Sequence, residues 1–594
     1  MIAAIQLPAL LLCAPLALTP AQDQTNGGRP LPQGFPGLAA GRSPRVEIPF
    51  NRLYDVADLY AHFDRLEAAY PTLVSHQVIA QSIEGRELRV YTVHNPATGG
   101  DREKPAMWID GNVHGNEVQG SEAVLYAMWY LLENYGSNER ITEMVDRSAF
   151  YLLPSVNPDG RDLWFAGANT ASSSRSGVSP VDSDRDGLFD EDPTNDLDGD
   201  GNIVRMRKYV PGHGTHRLDP EDPRRMVSVD PAVEGPPGDW VLLGTEGYDD
   251  DGDGRTNEDG PGGYDMNRAW PASWQPGHVQ FGAGAYPLYW PETRGIAEFI
   301  LDHPNIAGVQ SYHNSGGMIL RGPGTSSYGD YPRSDVSVYD ELGYEGERML
   351  PFYNYWVIWE DLYTVFGGFV TWTYEGLGVI SFTNELWTGK RNNPDGGWGN
   401  STEDRLAWSD RLLFGAGHVD WKPVEHPQYG EIEVGGFVKD QGRVPPTFLL
   451  EEELHRNALF ALFHAEEMPE VEILEPEITD LGGGLRAVDV RFHNRRGIPT
   501  RTSLAEQKRI GTPDVLEFEG DGIEVLTAGR LRDRLRPDRL VLFDTTTPER
   551  IVRESGLGAH ATLTVRWIVR GTGDVNVRFA SDKALDVERA FTIR

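Results

Sequence analysis

The sequence predicts an α/β fold with a mixed, largely parallel sheet and helices on both faces, followed by an all-β sandwich. Two observations lead to this expectation. From Tyr54 to about residue 468, apolar strand-like runs alternate with amphipathic helical segments, a pattern typical of a largely parallel sheet. From residue 470 to residue 594, short runs of alternating apolar and polar residues are separated by turn signals, which favours a sandwich.

The individual elements follow from periodicity and from residues that end helices. Leu59, Phe63 and Leu66 recur at helical spacing, and Pro71 ends that helix. The remaining elements of the first domain are, in chain order, two strands around the turn Glu84-Gly85, the strand AMWIDGNVHG, the helix EVQGSEAVLYAMWYLLENYG, the strand AFYLLPSVNP, the helix IAEFILDHP, the strand IAGVQSYHNS and the helix FLLEEELHRNALFALFHAEE. Sites in such sheets form at the carboxyl ends of strands, and two of these ends carry His114 and His313.

The chain is expected to divide into four segments. Residues 1–21 are predicted as a secretory signal peptide, because their apolar run ALLLCAPLAL is too short to span a membrane and is followed by small residues. Residues 22–45 form a disordered lead-in, rich in Gly, Pro and Gln. Residues 46–468 form the α/β domain, with an Asp-rich insertion at about 165–263, and residues 469–594 form the β sandwich. We therefore expect a secreted or periplasmic protein.

The amino-acid composition limits the classes of function that are plausible. The chain has 54 Lys and Arg against 90 Asp and Glu, a formal net charge of −36. Such a charge argues against a nucleic-acid-binding protein, because contacts with phosphate need a cationic face. The single cysteine, Cys13, falls in the predicted signal peptide, so any bound metal must be held by His, Asp or Glu. After residue 21, no stretch is long and apolar enough to predict a stable membrane span.

A candidate metal site combines two strand ends. His114-Gly-Asn-Glu117 lies where a strand becomes a loop, and His313 follows a second strand end. Two His and one Glu leave the fourth position of a tetrahedral zinc open, which is the pattern of catalytic zinc sites. On spacing alone, the alternative is a solvated loop histidine beside a glutamate that a helix N-terminus favours.

The order of several motifs resembles a known family. The chain carries, in this order, His114-Gly-Asn-Glu117, Asn157-Pro-Asp-Gly160, Asp265-Met-Asn267-Arg268, His313 and Ser381-Phe-Thr-Asn-Glu385-Leu. Over about residues 50–468 this order resembles the zinc carboxypeptidase family, the carboxypeptidase A-like metallopeptidases. The resemblance implies a secreted zinc metallocarboxypeptidase that hydrolyses the C-terminal peptide bond of peptides or proteins.

The resemblance also implies residue roles. His114, Glu117 and His313 match the zinc ligands, and Glu385 matches the catalytic glutamate. The residues implied to bind substrate are Asn267 and Arg268 at the terminal carboxylate, Tyr363 as the capping tyrosine and Val370 at the floor of the specificity pocket. In the stretch Arg205-Met-Arg207-Lys208, Arg207 is implied as the arginine that stabilises the oxyanion. Because Val370 offers no carboxylate to a basic side chain, we expect a preference for apolar or aromatic C-terminal residues.

The Asp-rich insertion is expected to bind calcium. Its three loops alternate carboxylates with other residues before a glycine, which lets a short loop surround a hard cation. They do not match the EF-hand, because Pro193 occupies the position that needs Glu, and they resemble the calcium loops of thrombospondin type-3 repeats. The candidate ligands are Asp182, Asp184, Asp186, Asp190, Asp196, Asp198, Asp200, Asp249, Asp251, Asp253 and Glu258. The alternative is a solvated acidic loop without an ion.

Two other functions stay open at this stage. A relative of the family could cleave peptidoglycan stem peptides or other modified amides. A derived protein could also be a non-catalytic, calcium-dependent binding protein, although the presence of Glu385 with all three expected ligands argues against it.

Overall fold

The structure is a computed structural model that describes residues 43–168, 175–177, 180, 182, 185–230, 235–257, 259–260, 262–391, 401–439, 441–533, 536 and 539–594. The strands up to residue 437 are β1 (Val74–Gln81), β2 (Glu87–Val93), β3 (Ala106–Gly111), β4 (Ala149–Leu153), β5 (Arg205–Gly214), β6 (His216–Leu218), β7 (Met226–Ser228), β8 (Gly238–Thr245), β9 (Ile306–Asn314), β10 (Met318–Arg321), β11 (Asn354–Val357), β12 (Ile380–Leu386), β13 (His418–His426) and β14 (Gly430–Phe437).

The helices of the same region are α1 (Val56–Ala69), α2 (Gln119–Asn134), α3 (Glu139–Arg147), α4 (Pro158–Ala166), α5 (Pro291–Asp302), α6 (Arg333–Met349), α7 (Phe369–Leu377), α8 (Thr402–Leu412) and α9 (Thr447–Glu466). Asp55 caps the first of them, accepting a hydrogen bond from the Asp58 amide. No helix in the described ranges combines the length and apolarity needed to cross a lipid bilayer.

Eight strands form the central sheet, in the order β1-β2-β4-β3-β9-β12-β10-β11. The four inner strands β4, β3, β9 and β12 are parallel to one another, whereas β1, β2 and β10 pair with antiparallel neighbours. The expected α/β class with a mixed sheet is confirmed. The predicted hairpin at Glu84-Gly85 is confirmed as β1 and β2, and Gly85 adopts φ 83° in its turn.

Helices cover both faces of this sheet. Along β3, Met107 and Ile109 belong to one apolar cluster with α1, α2 and α9, whereas Ala106 and Trp108 belong to a second cluster with α5 and α7. Successive side chains of a strand point to opposite faces, so this division places one helical layer on each side. The β3, β4 and β9 side chains are all buried, as expected for strands covered on both faces.

The Asp-rich insertion forms a sheet of its own. Strands β5–β8 join β13 and β14 in the order β13-β14-β5-β8-β6-β7, around a small core that includes Met206 and Val434. Residues 418–437, which follow the central sheet in sequence, therefore complete the fold of the insertion. This pairing of two distant segments was not predicted.

The C-terminal region consists of antiparallel sheets. Its elements are β15 (Val471–Ile473), β16 (Glu477–Gly482), β17 (Leu485–Asn494), α10 (Ser503–Lys508), β18 (Asp514–Gly520), β19 (Glu524–Leu531), β20 (Leu540–Leu542), β21 (Arg550–Arg553), β22 (Thr562–Arg570), β23 (Gly573–Ser581) and β24 (Ala584–Ile593). One sheet has the order β15-β17-β22-β19-β20, with β16 also paired to β17, and the other has the order β21-β18-β23-β24. The ring centroid of Phe518 in one sheet lies 5.2 Å from that of Trp567 in the other, and both residues belong to a shared apolar core. The expected all-β region is confirmed.

Candidate active site

The fold brings the predicted metal ligands together at one edge of the central sheet. His114 and Glu117 lie in the loop between β3 and α2, and His313 lies near the end of β9, the parallel neighbour of β3. One ligand atom from each of the three residues falls within 4.8 Å of the others. All three residues are buried.

The donor atoms fit a zinc ion. His114 Nδ1 lies 3.0 Å from Glu117 Oε1, and His313 Nδ1 lies 3.0 Å from Glu117 Oε2. His114 Nδ1 is buried, and its polar neighbour among the described residues is the Glu117 carboxylate, so both face the position that a cation would occupy. Burial raises the pKa of Glu117, but the two imidazoles outweigh it and hold this pKa well below its ordinary value. An anionic carboxylate with two imidazole nitrogens is a zinc ligand set.

Asp265 orients one of these ligands. Its Oδ1 lies 3.0 Å from His114 Nε2, the ring nitrogen opposite the one that faces Glu117. Such a carboxylate fixes the tautomer and orientation of a metal-binding histidine. Asp265 also caps the turn that carries Asn267 and Arg268, because its Oδ1 accepts the Asn267 amide at 2.8 Å. In the sequence, Asp265 is marked only by its place in the Asp265-Met-Asn267-Arg268 motif, which predicts no role for it.

Glu385 lies beside the cluster. It occupies β12, and its backbone pairs in register with His313 on β9. Burial raises its pKa to about 7, and the negative charge of Glu117 contributes in the same direction. A carboxyl group with a raised pKa can both accept and release a proton near neutral pH.

One cavity of about 180 Å³ joins this cluster to the residues implied to bind substrate. Asn267, Arg268, Tyr363 and Val370 all line it. The side chain of Tyr363 is half exposed, whereas Val370 is buried. The apolar residues of the wall are Met318, Leu320, Ile358, Leu362, Val365, Phe369 and Val370. Among the described residues that line the cavity, the carboxylates are Glu117 and Glu385.

The prediction for Arg207 is wrong. Arg207 lies on β5 in the sheet of the insertion, where its Nε donates to Glu433 Oε2 at 2.7 Å. Its guanidinium also lies 4.0 Å from the ring of Trp421 and 4.7 Å from that of Trp240. Because β5 pairs with β14, the side chain faces its cross-strand neighbour Glu433 and does not line the cavity.

Arg175 occupies the place beside the candidate metal ligands that was predicted for Arg207. Its guanidinium lies 3.2 Å from Glu117 Oε1, 2.9 Å from His114 Nε2 and 3.2 Å from Asp265 Oδ2. Burial lowers its pKa, but Asp265 and Glu117 outweigh this effect and raise it, so the side chain is a permanent cation. The sequence signal for it was weak, because it follows three serines and lacks the neighbouring basic residues that drew attention to Arg207.

A further arginine reaches the cavity from beyond the central sheet. Arg443 lies between β14 and α9, and its Nη2 is 3.9 Å from Glu117 Oε1. Asn314, next to His313, donates through Nδ2 to the Arg443 carbonyl at 3.1 Å. Residues 388–443 therefore contribute a cation to this cavity. No sequence motif marked this residue.

Among the described residues, the Asp-rich loops gather carboxylates into three clusters, with members that were not predicted. These clusters are Asp186 with Glu191 and Asp251, Asp196 with Asp198 and Glu246, and Asp249 with Asp251 and Asp253. Among the described ranges, Asp182, Asp190 and Asp200 belong to none of them. Asp184 and Glu258 lie outside the described residues.

Glu246 and Asp192 connect these loops to the rest of the insertion. Glu246 is fully buried and accepts the Leu197 amide at 2.6 Å and the Val204 amide at 3.0 Å. Asp192, also fully buried, accepts the amides of Asp250 and Asn257 at 3.1 and 3.0 Å. Loops that are distant in sequence thus share buried carboxylates, which the pattern within each single loop could not reveal.

Comparison with known proteins identifies the family. The model of a family described as zinc carboxypeptidase matches residues 59–202 and 244–399, and that of a domain of unknown function matches residues 470–592. The inactive metallocarboxypeptidase of Saccharomyces cerevisiae is 32% identical over 111 residues, which are 19% of this chain and 26% of that protein. Carboxypeptidase D of Drosophila melanogaster is 34% identical over 122 residues, which are 20% of this chain and 8% of that protein.

The crystal structure of thrombin activatable fibrinolysis inhibitor aligns with a TM-score of 0.42 at 18% identity, over 71% of this chain and 77% of that one. The matched stretch of the chain spans only 26% and 8% of the lengths of the yeast and fly relatives. The zinc carboxypeptidase model nevertheless covers just over half of the chain, including His114, Glu117, His313 and Glu385. The protein therefore belongs to the zinc carboxypeptidase family.

Proposed function

We propose that this protein is a secreted or periplasmic zinc metallocarboxypeptidase that removes the C-terminal residue of peptides or proteins. The observation that carries the proposal is that one cavity is lined by the His114–Glu117–His313 cluster, by Glu385 and by Arg268. A metal cluster with a general base suits many hydrolases. An arginine in the same cavity adapts the site to a substrate with a free terminal carboxylate, because its planar fork pairs with both carboxylate oxygens.

Each residue has a part in the reaction. Zinc held by His114, Glu117 and His313 would supply a Lewis acid that polarises the scissile carbonyl and makes water more acidic. Glu385 accepts a proton from the attacking water and passes it to the leaving amine. Arg175, in place of Arg207, donates N–H groups to the oxyanion that develops on the carbonyl oxygen.

Binding of the substrate terminus involves three further residues. Arg268 and Asn267 hold the terminal carboxylate, and Tyr363, half exposed at the cavity, covers the bound residue. The Asn267 Oδ1 accepts the Phe369 amide at 2.8 Å, which orients its side chain amide toward the cavity wall formed by α7.

The preferred C-terminal residue is apolar or aromatic. Val370 and six other apolar residues line the cavity wall, and the two carboxylates among the described lining residues are committed to the metal cluster and to proton transfer. A buried lysine or arginine side chain of a substrate would lack a partner carboxylate. The segment 388–443, which could have supplied an acid, contributes Arg443 through its described part.

We also propose that the insertion binds calcium for structural reasons. An EF-hand loop carries its last carboxylate ligand within the loop itself. Here Glu246, which lies outside the Asp196–Asp198 loop, supplies that carboxylate to the cluster. Asp251 belongs to two of the clusters. Oxygen ligands from separate loops would let one cation join segments that are far apart in sequence. The calcium would thus stabilise the insertion and would not enter the reaction.

An assay on blocked dipeptides with a free C-terminus, with and without a zinc chelator, tests the proposed activity. Release of the C-terminal amino acid that stops with chelator and returns with added zinc supports it. A zinc-loaded protein that cleaves none of these dipeptides would contradict it. Cleavage of stem peptides or amides by that protein would instead favour the second enzyme class, and binding without cleavage would favour a calcium-dependent binding protein.

A further inference from the structure

The C-terminal β domain binds the end of helix α7. Lys508 Nζ donates to the Glu375 carbonyl at 3.0 Å, and Lys583 Nζ lies 3.4 Å from the Leu377 carbonyl oxygen. Thr502 Oγ1 donates to the Gly378 carbonyl at 3.1 Å. The last carbonyls of a helix have no partner within the helix and carry the negative end of its dipole, so two ammonium groups and a hydroxyl suit them.

The two parts of the chain also meet at close range there. Gly378 ends α7 with φ 67°, and a Cβ at this position would lie 2.8 Å from Ala505 Cβ and 2.9 Å from Thr502 Oγ1. A side chain at residue 378 would therefore separate α7 from α10. The backbone of the helix end is in direct contact with the β domain.

A buried carboxylate makes a second connection. Asp335 of α6 is 1% exposed and accepts the Ser503 amide at 2.8 Å and the Leu504 amide at 2.9 Å. Its Oδ2 also accepts the hydroxyl of Tyr374 on α7 at 2.7 Å. One carboxylate thus links α6, α7 and the start of α10.

The opposite end of the same helix forms the substrate cavity. Val370 and Thr371 line it, and the Phe369 amide holds Asn267. The helix has nine residues, about 13 Å at 1.5 Å per residue, so its two ends are rigidly related. A shift of the end that contacts the β domain would move the end that contacts substrate.

This helix depends on outside contacts. Its sequence FVTWTYEGL contains β-branched and aromatic residues and an internal glycine, which are weak helix formers. Isolated helices shorter than about 12 residues are marginal in water. Packing and end contacts must therefore hold it.

We propose that the C-terminal β domain acts as a positioning domain for substrate binding: through Lys508 and Lys583 it fixes α7, and with it the pocket wall and Asn267. The proposal rests on the proposed carboxypeptidase function, and it gives that function a specificity pocket whose shape depends on a second domain. Lys508 and Lys583 are positioning residues, because they contact α7 and not the cavity.

The test compares two double variants of the full-length protein. Lys508→Met/Lys583→Met keeps the length of both side chains and removes both ammonium groups. The control Arg566→Met/Arg570→Met removes two positive charges from β22 of the same domain, where they pair with Asp489 and Glu524. The net charge changes equally in the two variants. Amide hydrogen exchange over α7 and the steady-state constants for a peptide ending in Phe are measured for both and for the parent protein.

We expect the backbone amides of α7 to exchange at least about fivefold faster in Lys508→Met/Lys583→Met than in the parent protein. The reason is that the two ammonium groups no longer hold the C-terminal carbonyls, so the helix opens more often. KM should rise about threefold or more while kcat stays within about twofold, the signature of weakened substrate binding. The control should match the parent in both measurements. Unchanged exchange, an unchanged KM, or equal changes in the control would overturn the proposal. Should the parent protein hydrolyse no peptide, the proposed function fails, and the exchange measurement still decides whether the β domain holds α7.

Discussion

Glu385 and His313 are paired in register on the neighbouring parallel strands β12 and β9. Residues paired in this way point to the same face of the sheet, so the proposed proton acceptor and the proposed metal ligand are set side by side by backbone hydrogen bonds. The spacing of the two groups is then set by strand pairing within the central sheet and not by a loop. A reaction in which both groups act at the same reacting centre is favoured when their positions are fixed in advance.

Replacement of His114 should remove zinc. In His114→Ala, one imidazole of the three ligands is lost, and the remaining two cannot hold a catalytic zinc at full occupancy. Elemental analysis of the purified variant should find much less than one zinc per chain. His76→Ala, which removes an exposed histidine paired with Glu67, serves as the control and should keep its zinc. Full zinc occupancy in His114→Ala would contradict the assigned ligand set.

Replacement of Glu385 should abolish turnover without loss of the metal. Glu385→Gln keeps the shape of the side chain but cannot accept a proton, so kcat should fall by about 10²–10⁴-fold. The zinc content should equal that of the parent protein. Near-normal turnover by a zinc-loaded Glu385→Gln protein would rule out this residue as the general base.

The pH profile of the parent protein checks the same assignment. Burial raises the pKa of Glu385 from 4.5 to about 7, and the base works only when deprotonated. Activity is therefore full above this pKa and is lost as pH falls through it. A nearby dication favours the carboxylate and moves the midpoint down, so the acidic limb of kcat/KM should lie between 4.5 and about 7. A profile that is flat across this window would be inconsistent with a Glu385 base.

The sequence could predict those features that depend on local pattern. The strands and helices of the first domain follow from periodicity, and His114, Glu117 and His313 lie at strand ends, where α/β sheets form their sites. Arg175 and Arg207 show the limit. The choice between them depends on whether β5 pairs within the insertion or approaches the cavity, and that pairing involves β14, more than 200 residues away along the chain. Glu246 was missed for the same reason, because it joins the Asp196 loop through tertiary structure alone.

The two arginines should differ in their effect on catalysis. Arg175→Met removes the guanidinium that lies among Glu117, His114 and Asp265, and the loss of one oxyanion donor should lower kcat by about 10²–10³-fold. Arg207→Met removes a partly buried ion pair with Glu433 and two cation–π contacts, which should lower thermal stability but leave kcat/KM within about threefold. Kinetics and melting temperatures of both variants decide the assignment. A large loss of kcat in Arg207→Met, with Arg175→Met nearly normal, would restore the original prediction.

Calcium should stabilise the insertion. A ligand that binds only the folded state raises its stability by mass action, so a calcium-selective chelator should lower the melting temperature of the parent protein. In Glu246→Gln the calcium-dependent part of this shift should shrink, because one of the clustered carboxylates loses its charge. Asp200→Asn, which changes a carboxylate outside the three clusters, is the matched control and should retain most of the shift. Melting curves that do not respond to calcium in any of the three proteins would refute the structural role.

The last prediction concerns which residue is removed. Val370 is 5% exposed and lies in an apolar wall, so matched peptides ending in Phe should be cleaved at least about tenfold more efficiently than those ending in Arg. Val370→Asp places a carboxylate in that wall, which should lower the Phe/Arg ratio of kcat/KM by about tenfold or more.

The same substitution buries a charge and should lower the melting temperature, because an unpaired carboxylate is poorly solvated there. Val370→Thr is close to valine in shape and adds a hydroxyl but no charge, so it should leave the ratio close to that of the parent protein. Comparison of kcat/KM for the two peptides across the three proteins separates charge from shape. Faster cleavage of the Arg peptide by the parent protein would mean that an acidic group reaches the pocket from another part of the chain, and the preference inferred from Val370 would then be incorrect.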